Sequence, residues 1–323
     1  MHPWNDTELP PHQRAGLLLE QLNLKEKIAQ LGSHWYRSED ETPAAGQGPE
    51  SDDSHDVAPM AHVFNQTATP WVESSRDGLG HLTRPFGTEP LTVARGRQRL
   101  AKLQQDVVTS SRFGIPALAH EECLTGLTAL GATVYPAAIA WGATWRPELV
   151  QEMASAIGGD MAALGIQQGL SPLLDVVRDY RWGRVEETCG EDPYLVGTLG
   201  TAYVRGLQSA GVDATLKHFA GYPASRAGRN HAPVSMGPRE LEDVMLPPFE
   251  MAVREGGVRS VMNSYCDIDG VPATASRHLL TEVLRERWGF TGVTVSDYWS
   301  IDFLAVTHGV AADPAGAAAK ALS

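Results

Sequence analysis

The sequence predicts an α/β fold, parallel strands closed into a (β/α)8 TIM-like barrel, and three observations carry that reading. Short apolar runs alternate with longer amphipathic stretches from about Arg95 onward, the rhythm of strands joined by right-handed helical crossovers. Five of these runs finish in polar clusters, as they would at a barrel mouth, where parallel strands end together. No glycine-rich G-x-G-x-x-G turn follows any run, which disfavours the competing open, doubly wound sheet.

The elements follow in chain order. Apolar side chains at Leu17, Leu18, Leu22, Ile28 and Leu31, interrupted by the capping sequence Asn23-Leu24-Lys25-Glu26, predict two short helices within residues 12–31. Glu, Asp, Ser, Gly and Pro dominate residues 38–56, which reads as a mobile surface insertion. Strands are expected at residues 115–119, 137–140, 169–174, 214–219, 259–263 and 293–296. Helices are expected near residues 147–164, 193–210, 238–255, 276–288 and from Ile301 onward. Several begin with Pro at the first helical position, where its missing N–H has no helical partner to lose.

Charge and cysteine usage narrow the function. Thirty-nine acidic against 26 basic residues give a net charge of -13, and no local basic stripe offsets it, so no nucleic-acid partner is expected. The N-terminus lacks a basic region followed by an apolar core, and no window approaches the roughly 18 apolar residues of a bilayer span. A cytoplasmic protein without a membrane partner is therefore expected, and an oligomer remains compatible with the sequence. Cys123, Cys189 and Cys266 stand far apart without metal-ligand spacing, so buried reduced thiols are expected, with no metal and no other cofactor.

The polar strand ends are His120-Glu121-Glu122, Asp175 leading to Arg184, Lys217-His218, Asn263 to Tyr265, and Ser296-Asp297. One such group alone is usually a surface or paired residue. Five converging in one bowl would bury many charges, which costs free energy unless mutual pairing or a polar ligand compensates. Asp297 is the most pointed of them, because Val293-Thr294-Val295 reads as a short strand that stops at this carboxylate. The plainer reading makes Asp297 the cap of a helix beginning near Ile301.

The segments that carry these clusters are GIPALAHEECLTGL (114–127), LDVVRDYRWGRVEETCGEDPYLVG (174–197), DATLKHFAGY (213–222), GRNHAPVSMGPRELEDVMLPPFEMAVREG (228–256), SVMNSYCDIDGVPA (260–273) and GFTGVTVSDYWSI (289–301). In this order they resemble glycoside hydrolase family 3, the retaining β-glucosidase and β-xylosidase family. The resemblance implies a retaining exo-acting β-glycosidase. Its substrate would be a terminal non-reducing β-D-glucosyl or β-D-xylosyl residue of an oligosaccharide or of an aryl or alkyl β-glycoside.

Residue by residue, Asp297 matches the nucleophile, since a carboxylate can attack an oxocarbenium-like carbon and later leave from the glycosyl ester. Lys217 and Arg184 would lower its pKa by nearby positive charge and donate to sugar hydroxyls, and His218 would add a neutral donor. Glu122 would grip hydroxyls of the terminal sugar, which favours an exo mode. Tyr265 matches a position beside the nucleophile, and Met262 would pack under the sugar or fill core. Tyr298 stands where many relatives carry Trp, so a narrower sugar-stacking wall is expected.

Other candidates read as structural. Glu186, Glu187, Glu191 and Asp192 are expected to hold their loop by pairing with Arg181 or Arg178, and Glu240 and Glu242 to complement a helix dipole. Single-domain N-acetylglucosaminidases of the family use an Asp-x-His pair, whereas this chain has Arg229-Asn230-His231, which argues against that mechanism. Retention also needs a second carboxyl about 5–5.5 Å from the first. In multi-domain relatives that acid comes from an α/β-sandwich domain after the barrel. Residues 1–323 therefore read as one barrel domain that stops before its eighth strand, the second domain being absent from this chain. Two other readings stay open: a sugar-binding fragment without turnover, and an aldolase-like barrel with Lys217 as Schiff-base lysine.

Overall fold

The computed structural model describes residues 2–35 and 69–323, so the expected insertion at residues 38–56 lies outside the described residues. Nine strands are described: β1 (Ser33–Trp35), β2 (His81–Thr83), β3 (Leu118–Glu121), β4 (Gln168–Gly169), β5 (Asp213–Phe219), β6 (Ser260–Asn263), β7 (Asp267–Ile268), β8 (Val271–Pro272) and β9 (Val293–Val295). Seven form one parallel sheet in the order β1-β2-β3-β4-β5-β6-β9, and β7 and β8 form a separate antiparallel hairpin. The sheet curls until its ends approach. Trp35 at the end of β1 packs its ring 5.0 Å from Tyr298 and 5.5 Å from Trp299, both just past β9. This is the TIM-like α/β architecture expected, with seven strands in the parallel sheet among the described residues.

Helical returns separate the strands. Val93–Ser110 leads from β2 to β3, Pro147–Leu164 to β4, Pro193–Ser209 to β5, Pro247–Arg254 to β6 and His278–Arg287 to β9. Their starts follow local chemistry: Asp192 accepts the Leu195 N–H at 2.7 Å ahead of Pro193, and Asn23 and Glu26 complete a reciprocal capping box. The helix Pro147–Leu164 ends at Gly165 with φ +81°, a left-handed turn that suits glycine. The outward strand residues Leu82, Ala119, Leu216 and Val261 are buried against this helical layer.

The inward faces differ from the usual aliphatic barrel core. Gln168 on β4 donates to Thr215 Oγ1 at 3.0 Å and Ser260 Oγ at 2.9 Å, and His81 and His120 face each other through Nδ1 at 3.3 Å. β1 and β2, only three residues long with sequences SHW and HLT, give no apolar run to read. Residues 137–140, expected as a strand, instead open the helix Ala138–Thr144, as an alanine-rich stretch favours. The strand before them starts three residues later and ends two residues later than expected, so His120 and Glu121 belong to β3 itself. Past β9 the chain turns before a short helix, Phe303–Val306, and Asp297 does not cap it. Its Oδ1 accepts the N–H of its own neighbour, Tyr298, at 2.8 Å.

Candidate active site

The C-terminal ends of β3, β5, β6 and β9 bring the expected groups together around Asp297, which is 5% exposed. Besides the Tyr298 N–H, Asp297 Oδ1 receives the Tyr265 hydroxyl at 3.0 Å, a proton shared with the Tyr298 carbonyl at 2.8 Å. Asp297 Oδ2 has no hydrogen-bond partner among the described residues, and His218 Nε2 lies 3.6 Å from it. Burial pushes this carboxyl up to about 6, against the downward pull of Lys217 and Arg184. The two cations therefore act in the expected direction, but desolvation outweighs them.

Lys217 Nζ donates to Glu122 Oε2 at 2.7 Å. Burial alone would raise the Glu122 carboxyl, and Lys217, Arg84 and Arg184 bring it below its ordinary value. A lysine held as the donor in this ion pair lacks the free lone pair that carbonyl addition requires, which disfavours the Schiff-base reading. Met262 lies on β6 beside Val295, only 2% exposed, so it fills the floor between β6 and β9.

His218 departs from its expected use as a donor. Its Nδ1 meets Asp175 Oδ2 at 2.7 Å and its Nε2 meets Arg184 Nη1 at 3.0 Å, so both ring nitrogens are engaged. Burial, then the positive charges of Arg184 and Lys217, holds the imidazole well below its ordinary pKa. Arg184 in turn grips Glu187 through Nε at 2.6 Å and Nη2 at 2.8 Å.

The acidic residues of the loop after β4 pair with partners other than those expected. Glu187 pairs with Arg184, Glu191 accepts the Tyr180 hydroxyl, and Asp192 caps a helix. Arg178 pairs with Glu240 and Arg181 with Asp179, while Glu242 pairs with Arg287. Tyr298 is one of three packed rings with Trp35 and Trp299, so the aromatic wall is wider than the Trp-to-Tyr difference implies. The Tyr298 hydroxyl is buried without a partner among the described residues. His231, at φ +63°, accepts from the Asn230 amide at 3.2 Å and sits 4.7 Å from the Tyr265 ring.

Arg84 escaped the sequence reading, and Asp175 and Glu121 were placed in polar clusters without a role. Asp175 fixes His218, although only its place in a polar cluster marked it. Arg84, at φ +50° after β2, is buried, and its Nη2 donates to the Gly87 carbonyl at 3.1 Å. Glu121 accepts the N–H groups of Phe86 at 2.6 Å and Gly87 at 3.2 Å, which pins the loop that carries Arg84. Burial pushes the Glu121 carboxyl up to about 8. The signal for Arg84 was the same as elsewhere, a polar residue at a strand end, but its strand was illegible.

Among the described residues, no cluster of three or more His, Cys, Asp or Glu side chains could hold a metal ion, and no helix is long and apolar enough to cross a membrane. Cys123, Cys189 and Cys266 are free and buried.

Comparison with known proteins gives a consistent relationship. A profile of the glycosyl hydrolase family 3 N-terminal domain matches residues 23–323. A β-xylosidase from Formosa agariphila is 43% identical over 228 residues, 66% of this chain and 32% of that protein. A second protein from that organism, named a putative β-xylosidase, is 31% identical over 328 residues, 99% of this chain and 41% of its own length. The structure of a β-glucosidase from Erythrobacter marinus superposes with a TM-score of 0.87 at 36% identity, covering 99% of this chain and 40% of that one. The chain thus spans less than half the length of each of these relatives. Given a parallel barrel whose strand ends converge on Asp297 and a match that runs from residue 23 to residue 323, the chain belongs to glycoside hydrolase family 3.

Proposed function

We propose that the chain is the nucleophile-bearing barrel of a retaining exo-β-glycosidase acting on terminal β-D-glucosyl or β-D-xylosyl residues. One observation carries the reading: Asp297 Oδ2 is a buried carboxylate oxygen with no hydrogen-bond partner among the described residues, set in the field of Lys217 and Arg184. Such an oxygen has a free lone pair for the anomeric carbon, while Oδ1, held by Tyr265 and the Tyr298 N–H, fixes the carboxylate plane. In the first step an Asp297 oxygen bonds to C1 as the C1–O bond to the aglycone breaks, and the departing oxygen takes a proton. Water then attacks C1, its proton passing to the base left by the first transfer, and the C1–Asp297 bond breaks to release Asp297 as a carboxylate.

The nearby carboxyls have other occupations. Glu122 is paired with Lys217, Glu187 with Arg184, and Glu121 is turned onto backbone N–H groups. Among the described residues these pairings leave none of the three carboxyls free to serve as the proton donor. Glu122 and Lys217 would open their pair to bind hydroxyls of the terminal sugar, which supports an exo mode.

The test is covalent trapping. A 2-deoxy-2-fluoro β-glycoside with a dinitrophenyl leaving group should label Asp297, because this leaving group needs little protonation and the electron-poor intermediate hydrolyses slowly. Labelling at another carboxylate would overturn the assignment, and sugar binding without labelling would favour a fragment that does not turn over.

A further inference from the structure

Four side chains form a hydrogen-bonded line that passes beside Asp297. Glu187 receives Nε and Nη2 of Arg184 on its two oxygens at 2.6 and 2.8 Å, and Arg184 Nη1 reaches His218 Nε2 at 3.0 Å. On the far side of the ring, His218 Nδ1 meets Asp175 Oδ2 at 2.7 Å, and the same oxygen accepts the His218 backbone N–H at 3.2 Å. A guanidinium carries donors only, so Nε2 must be the acceptor. A neutral ring then keeps its proton on Nδ1 and donates it to Asp175.

This tautomer matters because Nε2 lies 3.6 Å from Asp297 Oδ2, the oxygen without a hydrogen-bond partner among the described residues. A proton on Nε2 would point into that oxygen and occupy the lone pair that attack requires. We infer that Asp175 and Glu187 are positioning residues: Asp175 fixes the His218 tautomer, Glu187 holds Arg184 against Nε2, and together they keep Asp297 Oδ2 unbonded. The inference rests on Asp297 being the nucleophile.

The groups facing Asp297 come from several elements. Lys217 and His218 stand at the end of β5 and Tyr222 just beyond it, Arg184 in the loop after β4, Tyr265 after β6, and Tyr298 alongside. Glu122 reaches the cluster through its pair with Lys217, and Asp175 and Glu187 through His218 and Arg184. Glu187 partly neutralises Arg184. Its replacement by Gln removes one negative charge, strengthens the positive field at Asp297 and so moves the carboxyl's titration to lower pH.

Inactivation of the full-length protein by the 2-deoxy-2-fluoro dinitrophenyl glycoside, followed from about pH 4 to pH 8, reads this directly because the step needs no acid catalyst. Glu187→Gln should slow labelling at neutral pH on the order of tenfold, the scale of one charged hydrogen bond, and shift the acid limb to lower pH. Glu187→Asp, which restores the charge, should return the limb toward its native position. Asp175→Asn should slow labelling by a similar factor, because its amide can donate to Nδ1 and send the ring proton to Nε2. Native rates with an unmoved limb in both Glu187→Gln and Asp175→Asn would overturn the inference. Slow labelling of Glu187→Gln with the limb in place would mark Glu187 as merely structural and overturn it equally. Failure of the native protein to label would instead overturn the nucleophile reading on which the inference stands.

Discussion

The contact between the helices Pro147–Leu164 and Pro193–Ser209 and the mouth around Asp297 are both buried, yet they satisfy burial in opposite ways. On the two helices Ile157, Met161, Leu199 and Leu207 are almost fully enclosed, and Gly158 and Gly206 let the backbones approach. A Cβ on Gly206 would fall 2.3 Å from the Gln151 carbonyl. In the mouth, Asp297 Oδ2, Tyr298 Oη, Asp175 Oδ1 and Glu121 Oε2 are buried without hydrogen-bond partners among the described residues. Buried polar atoms are normally satisfied, and a cluster of exceptions marks a place arranged for something other than its own stability. On the helix Pro193–Ser209 the exceptions are the isolated hydroxyls of Thr198 and Thr201, whereas those of the mouth gather around the carboxyl proposed to meet the sugar.

The largest effect that could break this contrast is on turnover. Asp297→Asn should lower kcat on aryl β-glycosides by about a thousandfold or more while leaving stability unchanged or raised, since an amide escapes the desolvation of a carboxylate. Steady-state rates and denaturant unfolding of the same samples check both halves. A variant that kept a tenth of the native rate would remove Asp297 from the chemistry.

In the helix contact the reverse pattern is expected. Gly206→Ala should cost about 2–3 kcal/mol of stability through backbone overlap, with the specific activity of the folded protein retained. Denaturant midpoints measure this, and an unchanged midpoint would mean that the contact is looser than described.

A pH series sharpens the comparison further. With Asp297 raised to about 6, kcat/KM should fall roughly tenfold per pH unit below that value, because only the carboxylate attacks. The stability sign follows from the same shift. A carboxyl whose pKa is raised on folding, here from 3.8 to about 6, favours the fold below 3.8 and loses that contribution as pH rises through about 6. Asp297→Asn should therefore flatten the stability profile across that window. An acid limb at the ordinary carboxylate value would show that Lys217 and Arg184 prevail over burial.

The smallest effect belongs to neither region. Lys102 and Asp106 pair at 2.8 Å across one helical turn, with the lysine side chain 66% exposed, so Lys102→Ala should change stability by less than about 0.5 kcal/mol. A larger loss would place this exposed pair outside the usual behaviour of solvated ion pairs.

The sequence was most informative where hydrophobic pattern and function coincide. β5, β6 and β9 pair an inner strand with a polar end, so both were legible, and the helices Pro147–Leu164 and Pro193–Ser209 announced themselves by period and by their leading prolines. β1 and β2 were not legible, because their runs are only three residues long and each contains a histidine. Arg84 was lost with β2. Residues 137–140 misled because a small apolar run has no periodicity to separate a buried strand from the first turn of a helix.

By itself the sequence determined the alternation of helices and strands from about residue 147 onward, the placing of Glu122, Lys217, His218 and Asp297 at strand ends, and the family resemblance. These depend on local propensity, periodicity and residue identity, all of which are written along the chain. Only the tertiary structure decided which group meets which: that Lys217 binds Glu122, that His218 is held between Asp175 and Arg184, and that burial rather than positive charge governs Asp297. Those outcomes depend on distance and desolvation among residues far apart in sequence, and both quantities exist only once the sheet has curled and water has left the mouth.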